Sequence, residues 1–304
     1  MSKFMITMEQ KLIKEGLTES TAIQYVKRLM RLNRLKPFTN LMFIRKPRDI
    51  MVYMKDESFS ASSMESYLGM IISVLKKLPS KQNDKARKEY EQILDKPDEY
   101  FTKRDRSVKT ENQEKGWIDK DTFDKYVEET KEKGLTASRK KNFITRDYND
   151  LLNYFILSLY TLLPARRNRD FQLMKINADE GNSYDTEKQE FIFRDYKTFS
   201  TYGEQRLEIR EYPEFLKVMK LYMKRRPKEN DYLIVEHDGT EFKHNNSMTR
   251  RLNKIFGGNK VGTTAIRSMY LTTKYGDLNS EMKKDSVNMG HSIHQQQTAY
   301  VKAD

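Results

Sequence analysis

The sequence predicts a mainly α-helical protein with one small β-hairpin, divided into two domains, and three observations carry that expectation. Apolar residues recur at helical spacing in the first hundred positions, as in Met64, Tyr67, Leu68, Ile71, Leu75 and Leu78. A nearly unbroken apolar run from Tyr148 to Leu163 has the length of a helix buried on most sides. One segment alternates instead: Glu190–Tyr196 and Arg206–Arg210, joined through Gly203, read as the two arms of a hairpin.

Taken in order, Met8–Glu15 forms a short helix closed by Gly16, and Ser20 caps a second one. That second helix turns Ala22, Val26, Leu29, Met30 and Leu32 inward and leaves Lys27, Arg28 and Arg31 outside. Pro37 and Pro47 punctuate the chain, Arg48–Lys55 makes a short helix, a longer one begins at Ser60 or Ser63, and Lys81–Leu94 is helical and highly charged. Residues 1–102 thus read as an all-helical domain with basic outer faces, which suit either a DNA-gripping domain using phosphate contacts or ordinary solvated helix faces. Residues 103–116 have no apolar period, are dense in charge and end at Gly116, as a linker does. The second domain, 117–304, opens at Trp117, with Asp119 or Asp121 as cap of its first helix.

After the buried run, Pro164 stops the helix and Arg166-Arg167-Asn168-Arg169-Asp170 follows. Arginines at the end of a buried helix need an anion, either a phosphate or a carboxylate of the protein itself, most simply Asp170. Leu173–Ile176 is a short strand, and Lys197 stands at the end of the first hairpin arm. Pro213 starts a helix that closes at Arg225-Arg226-Pro227, Tyr232–Val235 reads as a strand, and Asn246–Phe256 as a basic helix ended by Gly257-Gly258. The last strong helix runs from Gly262 to Tyr275 with Thr263 or Thr264 as cap. Arg267 therefore lies in its first turns, where free main-chain N–H groups favour an anion. A separate short helix, Asn279–Asp285, leads to Met289-Gly290-His291 and, nine residues beyond the histidine, Tyr300.

Composition narrows the function. Lys and Arg number 57 against 44 Asp and Glu, a net charge of +13, which favours a polyanionic partner, most plausibly nucleic acid. The absence of cysteine excludes disulfides and thiolate metal sites. The start lacks a signal-peptide core and no run approaches a membrane span, so a soluble intracellular protein without membrane contact is expected. No Walker-type phosphate loop and no carboxylate cluster for two metals is present.

The order Arg166-Arg167, Lys197, Arg267, His291, Tyr300 resembles the catalytic domain of the tyrosine recombinase (phage integrase-type) family, which shares its chemistry with type IB topoisomerases. The resemblance spans Trp117 to Tyr300, and the helical first domain resembles that family's core-binding domain. It implies a mixed α+β catalytic domain that cuts and rejoins double-stranded DNA through a covalent 3′-phosphotyrosyl link. Tyr300 would be the nucleophile, Arg167 and Arg267 would hold the non-bridging oxygens, Lys197 would protonate the departing 5′-hydroxyl, and His291 would bond the phosphate. No cofactor or metal is implied. A homo-oligomer on DNA, a tetramer, is implied as the working form, at the site of DNA in nucleus or cytoplasm, with mobile elements and viruses as the usual carriers.

The first arginine is assigned to Arg167 because Asp170 stands three residues on, as the family's Arg-x-x-Glu requires, while Arg169 stands three on from Arg166. Arg166 and Thr264 are supporting positions. Thr264 occupies the place where the family has histidine in His-x-x-Arg, and it can hydrogen-bond but cannot act as a base near neutral pH. That departure keeps open a DNA-binding protein of recombinase descent that no longer cuts, beside a topoisomerase-like relaxation of DNA.

Overall fold

The computed structural model describes residues 2–101, 114, 116–244, 246–259, 261–290, 292–295 and 297. The chain divides into two compact units, Met1–Val108 and Lys109–Asp304. Both are mainly helical, and the second adds a small mixed sheet of four strands. Of residues 103–116, read above as a linker, only Glu114 and Gly116 are among those described.

The first unit contains α1 (Lys3–Lys14), α2 (Glu19–Leu32), α3 (Pro47–Asp56), α4 (Ala61–Lys77) and α5 (Lys81–Asp95). Four of these helices begin at hydroxyl caps: the side chains of Ser2, Thr18, Ser60 and Ser80 accept from the N–H three residues on, satisfying donors that the helix itself leaves bare, while α3 starts at Pro47 without a side-chain cap. Thr18, and not Ser20, caps α2, which therefore starts one residue before the position assigned to its cap. The inward faces meet in a core that fully buries Leu12, Leu29, Leu68, Ile71, Val74 and Tyr90. Tyr90 keeps its phenol satisfied there by donating to the main-chain oxygen of Ile44 at 2.9 Å.

The second unit is built around a buried helix. Asp119 caps α6 (Lys120–Arg139), which packs along α7 (Thr145–Thr161). Leu151, Leu152, Phe155, Ile156, Leu159 and Tyr160 of α7 are all fully buried, as an apolar run of this length demands. Phe155 stacks on Tyr222 of α10 (Pro213–Arg225) with ring centroids 4.1 Å apart. Tyr148 and Tyr222 satisfy their hydroxyls on the main-chain oxygens of Val235 and Leu233.

Between α7 and α10 come α8 (Asn168–Gln172), β1 (Lys175–Ile176), β2 (Ser183–Asp185), β3 (Glu190–Phe193), α9 (Phe199–Tyr202) and β4 (Gln205–Glu208). The strands lie in the order β1-β2-β3-β4, the first pair parallel and the others antiparallel, with Glu190 opposite Glu208 and Phe193 opposite Gln205. The hairpin is therefore present, but shorter than its alternation suggests. β3 ends at Phe193, and Ile209–Glu211 turns into a 3-10 helix. Tyr232–Val235 forms only isolated bridges, Lys175 to Tyr232 and Val235 to Glu241, and the strand Ser183–Asp185 carries no sequence signal of its own.

Two helices complete the described chain before its last short turn. α11 (Ser247–Ile255) ends at Gly257 and Gly258, both at positive φ. α12 spans Thr263–Asn288, and Gly262 is its N-cap, so neither Thr263 nor Thr264 takes that place. It also overturns the expected break after Tyr275: the helix continues through Gly276, whose carbonyl accepts from the Ser280 hydroxyl at 2.9 Å. Among the described residues no helix is long and apolar enough to cross a membrane.

Gly134 on α6 is the close-packing point of the helix pair, because a Cβ there would lie 2.4 Å from the Tyr154 Cβ. Gly134→Ala is expected to destabilise the protein by about 1–3 kcal/mol through overpacking. Gly69→Ala on α4, which meets nothing within 4 Å, is expected to be neutral or stabilising by up to about 1 kcal/mol. Thermal melts of the two variants read the contrast directly.

Candidate functional site

The cation-bearing turn begins where α7 ends. Pro164 cannot continue the helix, and Arg167 takes extended backbone angles (φ −77°, ψ 152°) at the N-cap of α8. The two adjacent arginines therefore leave the main chain in different settings.

Arg166 is held on every side. Its Nε donates to Oδ2 of Asp170 at 3.0 Å, and Nη1 donates to Oε1 of Gln205 on β4 at 2.8 Å. Its guanidinium lies 3.8 Å from the ring centroid of Phe193 and 5.0 Å from that of Tyr196. Asp170 is almost completely buried, so this is the pair that compensates a carboxylate taken out of water. The spacing rule that linked Asp170 to Arg167 is thus not what the side chains do: the four-residue step faces Arg166 onto the carboxylate. The side chain of Arg167, a half-buried residue, makes no hydrogen bond or ion pair among the described residues, although its main-chain oxygen accepts from the Asp170 N–H at 3.0 Å.

Of the other expected cations, Arg267 is bonded to this turn. Arg267, on the second turn of α12, donates from Nε to the main-chain oxygen of Ala165 at 3.0 Å, across 102 positions of sequence. The Arg267 side chain is thereby tied to the residue immediately before Arg166. Lys197 follows Tyr196, the ring under Arg166, and stands exposed not at the end of β3, as expected, but four residues beyond it on the connection to α9. Tyr196 closes the connection behind Lys197 by donating to the oxygen of Gly203 at 2.6 Å. Gly203 sits at φ +65°, where only glycine is at ease.

Two residues that sequence reasoning missed lock these parts together. Asn182 donates to the main-chain oxygens of Asp170 and Asp195, and its own oxygen accepts from the N–H groups of Arg194 and Asp195. One amide thus bolts the arginine turn to the segment that carries Tyr196 and Lys197. Asn168 accepts from the Tyr160 hydroxyl at 3.0 Å and donates to Thr249 of α11 at 2.9 Å. Tyr160 is buried, and burial pushes its phenol far above the ordinary value. Asp170 pushes in the same direction and Arg267 in the opposite one. It remains protonated and serves as a strut, never as a nucleophile.

Thr264 is exposed on the first turn of α12. His291 and Tyr300 lie outside the described residues. The described C-terminal part of α12 bears on them all the same: Arg267 and Asn288 are on one uninterrupted helix, and 21 residues at 1.5 Å each put them ~32 Å apart. No group of three or more His, Asp or Glu placed to hold a metal occurs among the described residues. The cations nearest this turn are Arg167 at an extended N-cap, Arg267 bonded through Nε to the oxygen of Ala165, and Lys197 on the connection after Tyr196.

Comparison with protein-family models, with curated proteins and with solved structures gives no match.

The two arginines predict opposite mutational outcomes. Arg166→Ala strands the buried Asp170 carboxylate and is expected to cost about 3–5 kcal/mol of stability. Arg167→Ala removes a side chain with no partner here and is expected to change stability by less than about 0.5 kcal/mol. Denaturant unfolding of the two variants side by side checks this.

Proposed function

We propose that the second unit breaks and rejoins DNA strands by the tyrosine recombinase reaction, as a site-specific recombinase or integrase, with Tyr300 as nucleophile. The observation that carries the reading is the Arg267–Ala165 hydrogen bond, which joins two arginine-bearing segments far apart in sequence beside the hairpin that bears Lys197. A buried structural arginine pair would not leave Arg167 unpartnered, whereas a phosphate site requires such a group.

In this reading Arg167 and Arg267 bind the two non-bridging oxygens of a scissile phosphate. Planar guanidiniums suit the charge that gathers there in the transition state, and their fixed positions spare reorganisation during reaction. The Tyr300 hydroxyl oxygen attacks phosphorus, and its proton passes to His291 or to water. The bond from phosphorus to the 5′-oxygen breaks, and Lys197 supplies the proton that makes the departing group a hydroxyl. The phosphotyrosyl ester keeps the bond energy, so a 5′-hydroxyl reverses the steps and no nucleotide or metal enters the balance. Arg166 is assigned a structural part, fixing Asp170 and the hairpin.

A second reading, a DNA-binding protein of recombinase descent that does not cut, is favoured by two observations. The end of α12 lies ~32 Å from Arg267 along a continuous helix, and Thr264 stands where a base is expected. The strand-transfer reading is met either by the chain beyond Asn288 returning along α12 or by α12 opening, and Gly276, at mid-helix, is the weakest place in it.

On a nicked suicide duplex carrying the cognate site, the wild-type chain is expected to form a covalent protein–DNA adduct and Tyr300→Phe none. Absence of any adduct selects the second reading. Lys197→Ala is expected to slow cleavage by 10²-fold or more, with rate recovered when sulfur replaces the bridging 5′-oxygen, because a thiolate departs without a proton. Gly276→Ala adds only an ordinary contact with Thr272 at 3.6 Å. It is expected to raise stability by about 0.5–1 kcal/mol while lowering the cleavage rate. A raised melting temperature with unchanged cleavage shows that the bend lies elsewhere.

A further inference from the structure

α12 carries an apolar line on the side turned away from the core of the second unit. Ile266 and Met269, near the start of the helix, are buried in that core. Leu271, Tyr275 and Leu278, which follow, are 51%, 40% and 54% exposed, and Met282, one turn further, is half-buried. At ~100° per residue these four positions fall within about 60° of one another, opposite the sector of Ile266 and Met269. Single exposed leucines are ordinary on a protein surface, but an apolar line along one helix marks a contact.

The line also keeps a seven-residue repeat. Leu271, Leu278 and Asp285 make one set of positions, and Tyr275, Met282 and Met289 the other, the spacing at which two helices pack side by side. Charge decides what fits against it. A parallel partner of the same sequence, in register, would set Asp285 against Asp285 in the seam, two like charges drawn out of water. An antiparallel one sets Leu271 on Met282, Tyr275 on Leu278, and Asp285 on Ser268, whose hydroxyl can donate to the carboxylate. In that register the flanking position 274 (Lys) falls against position 281 (Glu) twice over, and Thr272 falls against Asn279. The seam is complementary to its own reverse, as a contact between two like surfaces must be.

We propose that α12 is a self-recognition surface through which two copies of this chain pair antiparallel, without DNA, about a two-fold axis passing between Gly276 and Asp277. The contact is distinct from the DNA-bound tetramer that the family resemblance implies: it joins two copies, needs no nucleic acid and stands whether or not Tyr300 cleaves. The overlap from Leu271 to Met282 is three turns of helix, too little surface for an obligate dimer, so the association is reversible and follows concentration. Gly276 lies inside the overlap. Pairing gives α12 a covered face at its weakest point, so the paired form is the unbroken form.

The experiment is sedimentation equilibrium of the full chain without DNA over rising protein concentration, where a monomer–dimer equilibrium with no larger species is expected. Leu278→Glu, at an exposed position that leaves the core untouched, is expected to abolish the dimer while the melting temperature of the monomer stays unchanged. Glu281→Lys is expected to weaken the dimer, and Lys274→Glu/Glu281→Lys, which reverses both charges, to restore it. The chain has no cysteine, so Val287→Cys takes one spin label per copy. The antiparallel register sets position 287 opposite position 266, so the two labels are separated by 21 residues, ~32 Å along the axis, against no axial separation in a parallel pair. A chain that stays monomeric at every concentration overturns the proposal and leaves the line to a different protein. A dimer indifferent to Leu278→Glu overturns it as well, as does a charge reversal that fails to restore pairing or a label distance that fits parallel copies.

Discussion

A buried carboxylate gives the second unit its most consequential constraint. Asp170 is out of water, and a bare charge in that position would be strongly destabilising. Arg166 answers it, and in doing so is pressed onto Phe193 and Tyr196 and bonded to Gln205. The hairpin is thereby fixed against the end of α7, and Asn182 repeats the connection through main-chain atoms of Asp170, Arg194 and Asp195. Everything positioned near this turn inherits its rigidity. The same interaction explains why neighbouring arginines differ. Arg166 has its charge met inside the protein, and Arg167, one step along at an extended N-cap, has not.

Arginine is held by aromatic rings in both units, with opposite electrostatic outcomes. Arg166 is stacked and also neutralised by a carboxylate, so its guanidinium adds order without adding field. Arg28, Arg31 and Arg34 are stacked without such a partner among the described residues, so order and field coincide. A ring orients the planar cation while leaving its N–H edge free to donate, which a carboxylate partner does not. The distinction is one of partners and not of residue type, and it is why a count of basic residues says little about where an anion would sit.

The helices were legible in the sequence because burial leaves a periodic trace. α4 and α7 follow their apolar rhythm, and the caps Ser60 and Asp119 sit at residues that advertise them. The arginine turn was legible as a place, since Pro164 had to stop the helix, but its internal pairing was not. A one-residue choice between facing Arg166 or Arg167 toward Asp170 depends on where α8 starts, and that is set by tertiary contacts. Asn182 left no trace at all, because its partners are main-chain groups that every residue possesses. The aromatic strip under α2 was equally silent: Tyr67 reads as one apolar position of its helix, Tyr53 and Phe59 carry no signal of their own, and only folding sets them in a row.

The continuity of α12 is the point at which local preference and proposed function pull apart. Gly276-Asp277-Leu278-Asn279-Ser280 carries residues that end helices: Gly276, Asp277, Asn279 and Ser280 are each weaker helix formers than the alanine or leucine a stable rod would use. The helix nevertheless runs on, with Leu271 and Leu278 exposed along it. A helix kept intact through a glycine, by local hydrogen bonds and without a buried face there, is separated from its broken form by a small free energy. Twelve residues from Asn288 to Tyr300 extend at most ~40 Å, against the ~32 Å that the intact helix imposes between Arg267 and its own end. In the intact form an approach of Tyr300 to Arg267 asks the connecting chain to be largely extended. Opening α12 at Gly276 relaxes that demand without disturbing the Arg267–Ala165 bond, which lies two turns nearer the start of the helix. The residue that weakens the rod is therefore also the one at which the strand-transfer reading can be met.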